Sequence, residues 1–258
     1  MRIATVPAEP TPPTITPVEV CVSVRTTEMT SPQWVRPAVE YATVIVLFLL
    51  AIPIIATAAM LVRITSPGRA IYSQSRLGRG GREYTIYKLR TMYHNCEEAS
   101  GVRWATPGDP RITPVGRILR ATHIDELPQL WNILRGDMRL IGPRPERPEI
   151  VTVLAARIPG YLHRLVIPPG VTGLAQVLLP ADTELESVRR KLALDRVYIQ
   201  NRGWWMDLRI LVGTGFHVLK VPTWLISRCL ALPIPEAQAD PPPSHGHDRL
   251  ADREDGNE

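Results

Sequence analysis

Apolar and polar positions fall along this chain in three regimes. Residues 1–40 mix Pro, Thr and Val with scattered charges and little periodicity, which predicts a disordered leader over 1–38. The leader does not read as a signal peptide, because the first long apolar run starts only near residue 41. That run, YATVIVLFLLAIPIIATAAMLV, spans Tyr41 to Val62, 22 residues without a charge. As a helix it would extend about 33 Å, long enough to cross a bilayer core. A membrane helix is therefore expected over 39–65. Pro53 falls in the middle of the run, where it removes a backbone donor and crowds the preceding turn, so a kink is expected. Two geometries follow: a bent crossing, or a break that returns the chain to its starting side.

Beyond the run the pattern shortens. Ala70–Tyr72 and Tyr84–Tyr87, separated by GRGG, read as a small β-hairpin. From residue 109 onward the pattern is one of short helices joined by Gly/Pro turns. Thr183 and Glu186 stand at capping-box spacing, and Leu185, Val188, Leu192 and Ile199 recur close to helical period. The stretch WWMDLRILVGTGFHVLKVPTWLI is apolar enough for a membrane surface, with Trp204, Trp205 and Trp224 as interfacial candidates. Past Leu232 the chain is Pro-rich and acidic, and a disordered tail is expected over 231–258. The fold class is α/β but mostly helical, with a globular domain over 66–230.

Charge sharpens this picture. Residues 1–40 (three arginines, four glutamates) and the tail (two arginines, seven acids) are both net acidic, although the whole chain carries +5. The middle is therefore strongly basic, and its cations are mostly arginine. Such a surface favours phosphates, nucleotides, acidic lipid or nucleic acid, and arginine suits bidentate phosphate recognition. Arg63, Arg69, Arg76, Arg79 and Arg82 follow the apolar run, which puts its C-terminal side in the cytoplasm. Cys21, Cys96 and Cys229 are odd in number and far apart, which argues against a disulfide framework. The six histidines show no metal-ligand spacing, and His245 and His247 fall in the acidic tail.

The candidate chemistry centres on RATHIDELPQLWNILRGDM, residues 120–138. Pro128 fits the first turn of a helix and Gly136 would stop it, so Asp125 and Glu126 fall near a positive helix end. Adjacent residues there point about 100° apart, so the two cannot share one proton as a facing dyad would. They suit two separate jobs, one carboxylate attacking and the other holding a cation, or simply two helix-start acids paired with Arg120. Arg111, Arg117 and Arg120 precede the pair, Arg144 and Arg147 follow it, and Lys88 and Arg90 come from KLRTM. PPGVTGLAQ adds a turn at Gly170 and Gly173 able to bring backbone N–H groups near an anion. This is a setting for phosphoryl chemistry at a bilayer surface.

Six motifs stand in order: QSRLG at 74–78, KLRTM at 88–92, DPRIT at 109–113, DELPQLWNILRGDM at 125–138, GPRPE at 142–146 and PGVTGLAQ at 169–176. On these the chain resembles the bacterial sugar transferases, monotopic polyprenyl-phosphate phosphoglycosyl transferases that initiate exopolysaccharide and O-antigen synthesis. The resemblance runs from about Tyr41 to Lys220. It implies a kinked, re-entrant membrane helix and a two-step transfer from a UDP-sugar to polyprenyl (undecaprenyl) phosphate at the cytoplasmic face of the bacterial inner membrane. It makes Asp125 the nucleophile, Glu126 the ligand of a Mg²⁺ cofactor, and Arg120 and Arg144 phosphate-binding residues. Lys88, Arg90 and Arg111 join them in the basic motifs. The partners it implies are the donor, the lipid acceptor and the bilayer, with no nucleic acid and room for a homodimer.

The chain departs from the family where Ile52-Pro53 stands for a Ser-Pro at the membrane-helix break, and where Gly68-Arg69 stands for Gly-Pro. It reads as a minimal member with a longer polar leader. Two rivals stay open: direct attack of polyprenyl phosphate with Asp125 only binding metal, and a non-enzymatic membrane-anchored basic module. GRGGR at 78–82 lacks the G-K-[ST] ending of a phosphate loop and reads as a turn. The sugar, the lipid length and the polysaccharide pathway are not encoded in these motifs.

Overall fold

In a computed structural model, which describes residues 35–94, 96, 108–180 and 185–233, the apolar run forms one helix, α1 (Val35–Thr65). The leader up to residue 34, Cys21, Thr183 of the capping box, and the tail beyond residue 233 with His245 and His247 lie outside the described residues. Helix α1 continues through Pro53. Val44, Phe48, Ala51, Ile55, Ala58 and Val62 recur every three or four positions and form the stripe that meets the rest of the chain. Its first half packs on Ile86, Leu130, Ile133 and Met138, its second half on Leu89 and Leu119. Both ends are tied down as well. Glu40 accepts the Leu140 N–H at 2.9 Å and lies 3.4 Å from Arg139, and Arg63 donates to the Gly68 carbonyl at 2.8 Å. The helix thus lies along the domain over roughly 27 Å, and its outer face exposes Val46, Leu49, Leu50, Ile52, Met60, Leu61 and Ile64.

The hairpin forms as expected and is longer than its apolar patches. Strands β1 (Ile71–Leu77) and β2 (Glu83–Leu89) pair antiparallel, Ile71 opposite Leu89 and Leu77 opposite Glu83. Gly80 and Gly81 make the turn with φ of +67° and +78°, a region that side chains resist. The end of β2 then joins the DPRIT segment: Met92 bridges Ile112, and the Thr113 N–H donates to the Thr91 carbonyl at 3.0 Å. Thr113 also caps helix α2 (Pro114–Ala121), its hydroxyl accepting the Gly116 N–H at 2.9 Å.

Helix α3 (Gln129–Leu134) begins after Pro128 and ends before Gly136, whose φ is +81°. A second sheet was not foreseen. Strands β3 (Arg139–Ile141) and β4 (Gly170–Thr172) run parallel, so GPRPE and PGVTG meet backbone to backbone. A Cβ on Gly170 would fall 2.0 Å from the Gly142 nitrogen, which is why both positions hold glycine. The Gly170 N–H donates to Pro143 O at 2.9 Å, so this amide serves the sheet rather than the anion cradle expected of the turn. Helices α4 (Pro148–Arg157), α5 (Leu174–Leu178), α6 (Leu185–Asn201), α7 (Trp204–Val218) and α8 (Thr223–Cys229) complete the mostly helical domain. Helix α6 buries Val188, Leu192 and Ile199 as its periodicity requires. On α7 and α8, Trp204, Trp205, Leu208, Phe216 and Trp224 stay exposed, an apolar face like the outer face of α1.

Candidate active site

The chain turns sharply between α2 and α3. His123 adopts the left-handed region at φ +57°, and Ile124–Glu126 follow as one 3₁₀ turn that leads into Leu127 and Pro128. Asp125 and Glu126 are thereby placed at the junction of α2, α3 and β2, both largely buried.

Their surroundings differ. Glu126 Oε1 accepts a hydrogen bond from Lys88 Nζ at 2.7 Å and another from Arg144 Nη2 at 2.6 Å. Burial works to raise this carboxyl, but the charges and hydrogen bonds of Arg144 and Lys88 outweigh it and hold Glu126 well below the usual carboxylate range. Arg144 in turn is pushed up by the Glu126 charge. Asp125 receives no hydrogen bond among the described residues. Burial, then the negative charge of Glu126, push it up to about 6, against the lowering pull of Lys88, Arg120 and Arg144. One carboxylate is therefore fixed by two cations that favour its ionised form, while its neighbour has no hydrogen bond among the described residues and takes up a proton more readily.

Each partner comes from a different element. Lys88 comes from β2, Arg144 from the loop after β3, and Arg120 from the last turn of α2, where its Nε donates to Thr91 Oγ1 at 2.8 Å. Asn132, fully buried on α3, sets the spacing between two of these elements. Its Oδ1 accepts the Tyr87 N–H at 3.1 Å and its Nδ2 donates to the Thr85 carbonyl at 2.7 Å. It stands in for a neighbouring strand on β2 and locks α3 beside Lys88. The sequence reading passed over Asn132, although an amide between apolar Leu130, Trp131 and Ile133 was itself a signal of a buried hydrogen-bonding site.

Two of the sequence candidates are engaged elsewhere. Arg90 donates to the Ser66 carbonyl at 2.7 Å and to the Pro67 carbonyl, bracing the chain where it leaves α1. Arg111 grips Asp109 through Nε at 3.0 Å and Nη2 at 2.6 Å. Neither is bonded to Asp125 or Glu126, whereas Lys88, Arg120 and Arg144 are gathered around the pair. Among the described residues no group of three or more His, Cys, Asp or Glu side chains could hold a metal alone. Mg²⁺ does not require one: it binds one or two carboxylates together with substrate phosphates and water. Asp125 and the Glu126 oxygen not taken by Lys88 and Arg144 fit that donor chemistry. The arrangement can hold a phosphate-bearing anion beside a buried carboxylate.

Comparison with known proteins points to one family. The family model described as bacterial sugar transferase matches residues 31–221. A UDP-glucose:undecaprenyl-phosphate glucose-1-phosphate transferase of Caulobacter vibrioides is 49% identical over 164 residues, 63% of this chain and 61% of that protein. A UDP-N-acetylgalactosamine-undecaprenyl-phosphate N-acetylgalactosaminephosphotransferase of Aeromonas hydrophila is 41% identical over 162 residues, 63% of this chain and 38% of that protein. The exopolysaccharide production protein PSS of Rhizobium leguminosarum bv. phaseoli is 37% identical over 168 residues, 63% of this chain and 84% of that protein. The chain therefore spans less than two thirds of the length of the first two. The motifs, the gathered charges and a match over most of the sequence place this chain in the bacterial sugar transferase family.

Proposed function

We propose that this protein transfers a phosphosugar from a UDP-sugar to polyprenyl (undecaprenyl) phosphate through a covalent intermediate on Asp125. The observation that carries the reading is the contrast within one turn: Glu126 held ionised by two cations, Asp125 buried and unbonded beside it. In the first step an Asp125 oxygen attacks the β-phosphorus of the donor. The bond from that phosphorus to the bridging oxygen breaks, and UMP leaves with the electron pair. In the second step a phosphate oxygen of the polyprenyl acceptor attacks the same phosphorus and releases the Asp125 carboxylate. Arg144, Arg120 and Lys88 bind the diphosphate oxygens and offset charge that builds on them. Glu126, with Asp125, would hold Mg²⁺, which when bound offsets negative charge on the donor phosphates. Ping-pong transfer lets a soluble donor and a lipid acceptor use one site in turn.

The site works at the cytoplasmic face of the inner membrane. The outer face of α1 and the apolar face of α7 and α8 enter the acyl boundary, and the polar catalytic turn stays at the interface. Glu40 bonded to Leu140 near one end of α1, and Val62 packed with Leu89 and Leu119 near the other, support a helix that lies against the domain and does not carry the chain to the far side.

The test uses purified protein in nanodiscs with Mg²⁺ and a panel of UDP-sugars that includes UDP-glucose and UDP-N-acetylgalactosamine, without acceptor. A stoichiometric burst of UMP with a phosphosugar mass adduct, both absent in Asp125→Asn, is expected. Turnover only after lipid is added, with no adduct, would mean direct displacement and a different job for Asp125.

A further inference from the structure

Arg144 is one of two cations hydrogen-bonded to Glu126, and it stands in the loop after β3. A cavity of about 20 Å³, room for one water, lies against it between Glu146, Gln176 and Lys191. That side of Arg144 is therefore not fully packed. Its backbone is held instead by Arg164, whose Nη2 donates to the Arg144 carbonyl at 2.9 Å and whose Nη1 donates to the Tyr161 hydroxyl at 2.6 Å. The Asp195 carboxylate on α6 lies 2.9 Å from the same Nη2. Arg164 and Asp195 are 8% and 2% exposed. A buried ion pair is a poor source of stability, since well-packed apolar residues of similar volume often do as well or better. Its place behind Arg144 asks for a different reason.

We propose that Arg164, anchored by Asp195, is a positioning residue for the transfer: it fixes the Arg144 backbone so that the guanidinium reaches Glu126 and the incoming diphosphate together. The contacts form one line from α6 through Arg164 and the Arg144 carbonyl to the 2.6 Å bond on Glu126. The proposal rests on the phosphosugar transfer argued above. Loosening the line leaves the donor bound but its phosphates less well aligned, so kcat falls more than KM rises.

The experiment uses the full chain in nanodiscs with Mg²⁺, polyprenyl phosphate and the UDP-sugar that the wild type turns over. Arg164→Met with Asp195→Leu replaces the ion pair by an apolar one. This protein should melt close to or above the wild type while kcat falls roughly 10- to 100-fold. In an Arg144→Met background the same double replacement should cost less than about threefold, because the residue it positions is already gone. Full turnover in the folded double variant would overturn the proposal. So would an equal loss with and without Arg144, which is what a merely structural pair predicts. If the double variant does not fold, Arg164→Lys, which keeps a cation beside Asp195 but not the planar two-armed donor, is judged by the same cycle. Absence of turnover by the wild type with every donor would instead overturn the transfer reading itself.

Discussion

Asp125 titrates at about 6 in the fold against an ordinary 3.8, raised by burial and by the Glu126 charge. Between those two values the folded protein binds more protons than the unfolded chain, so stability falls as pH rises through the window and levels off above it. A gap of about two units corresponds to about 3 kcal/mol of destabilisation at neutral pH. Asp125→Asn is therefore expected to raise Tm at pH 7.5 by several degrees while abolishing UMP release, and to lose most of that advantage below pH 4. A lower melting temperature at pH 7.5 would contradict the strained carboxylate. Lys88→Met removes one of the cations that hold Asp125 down. In the metal-free protein the Asp125 titration should then move upward from about 6, and one that stays in place would detach it from Lys88. At this scale the sequence was informative where charged residues stood inside or just before recognisable motifs, as with Asp125, Glu126, Lys88 and Arg144 inside them and Arg120 just before one. It could not separate these from Arg90 and Arg111, because the partners that occupy them are a turn carbonyl at Ser66 and a carboxylate whose geometry only the fold sets.

Elements hold the site through two close junctions. At the first, Asn132 supplies the missing edge of β2, pairing with Thr85 and Tyr87. Asn132→Ala leaves those backbone groups unpaired, at about 1–3 kcal/mol each where water cannot enter. Denaturant unfolding should show a loss of about 2–4 kcal/mol, and a loss below 1 kcal/mol would mean that α3 is held by its apolar face alone. At the second, α2 approaches the end of β2 so closely that a Cβ on Gly116 would fall 2.0 Å from the Thr91 carbonyl oxygen. Gly116→Ala must push α2 away from the strand and carry Arg120 off its 2.8 Å bond to Thr91. About 1–3 kcal/mol should be lost, together with donor turnover. A protein with wild-type Tm and activity would show that α2 can slide without consequence. The hairpin was legible because GRGG forces a turn between strand-like patches, and α6 because its apolar period is long enough to register. The parallel pair β3 and β4 was not, since three-residue strands carry no measurable alternation. The glycines that let them touch looked like anion-binding turns for the same reason.

For the molecule as a whole, α1 decides how chemistry and membrane meet. Its length and composition suit a crossing, and the sequence could say no more, because every position from Tyr41 to Val62 is apolar or small enough for lipid. The structure divides those positions between two neighbours. Ala51 faces Ile86 and Met138 in the domain, while Leu50, one residue earlier, is 64% exposed. Helix α1 packs along the domain from Glu40, bonded to the Leu140 N–H, to Val62, which lies with Leu89 and Leu119. The N-terminus should therefore share the cytoplasm with the catalytic turn. Cys21 provides a native label for this once Cys96 and Cys229 are changed to Ser. An impermeant thiol reagent should leave Cys21 unmodified in intact spheroplasts and react only after the inner membrane is opened. Leu50→Arg supplies the complementary arm: Tm in detergent should hold, since that side chain is mostly exposed. Membrane association should weaken, because a charge in the acyl region costs roughly 2–3 kcal/mol. Labelling of Cys21 from outside, with Leu50→Arg still firmly membrane-bound, would establish a true span and require the domain to release α1 when it meets the bilayer.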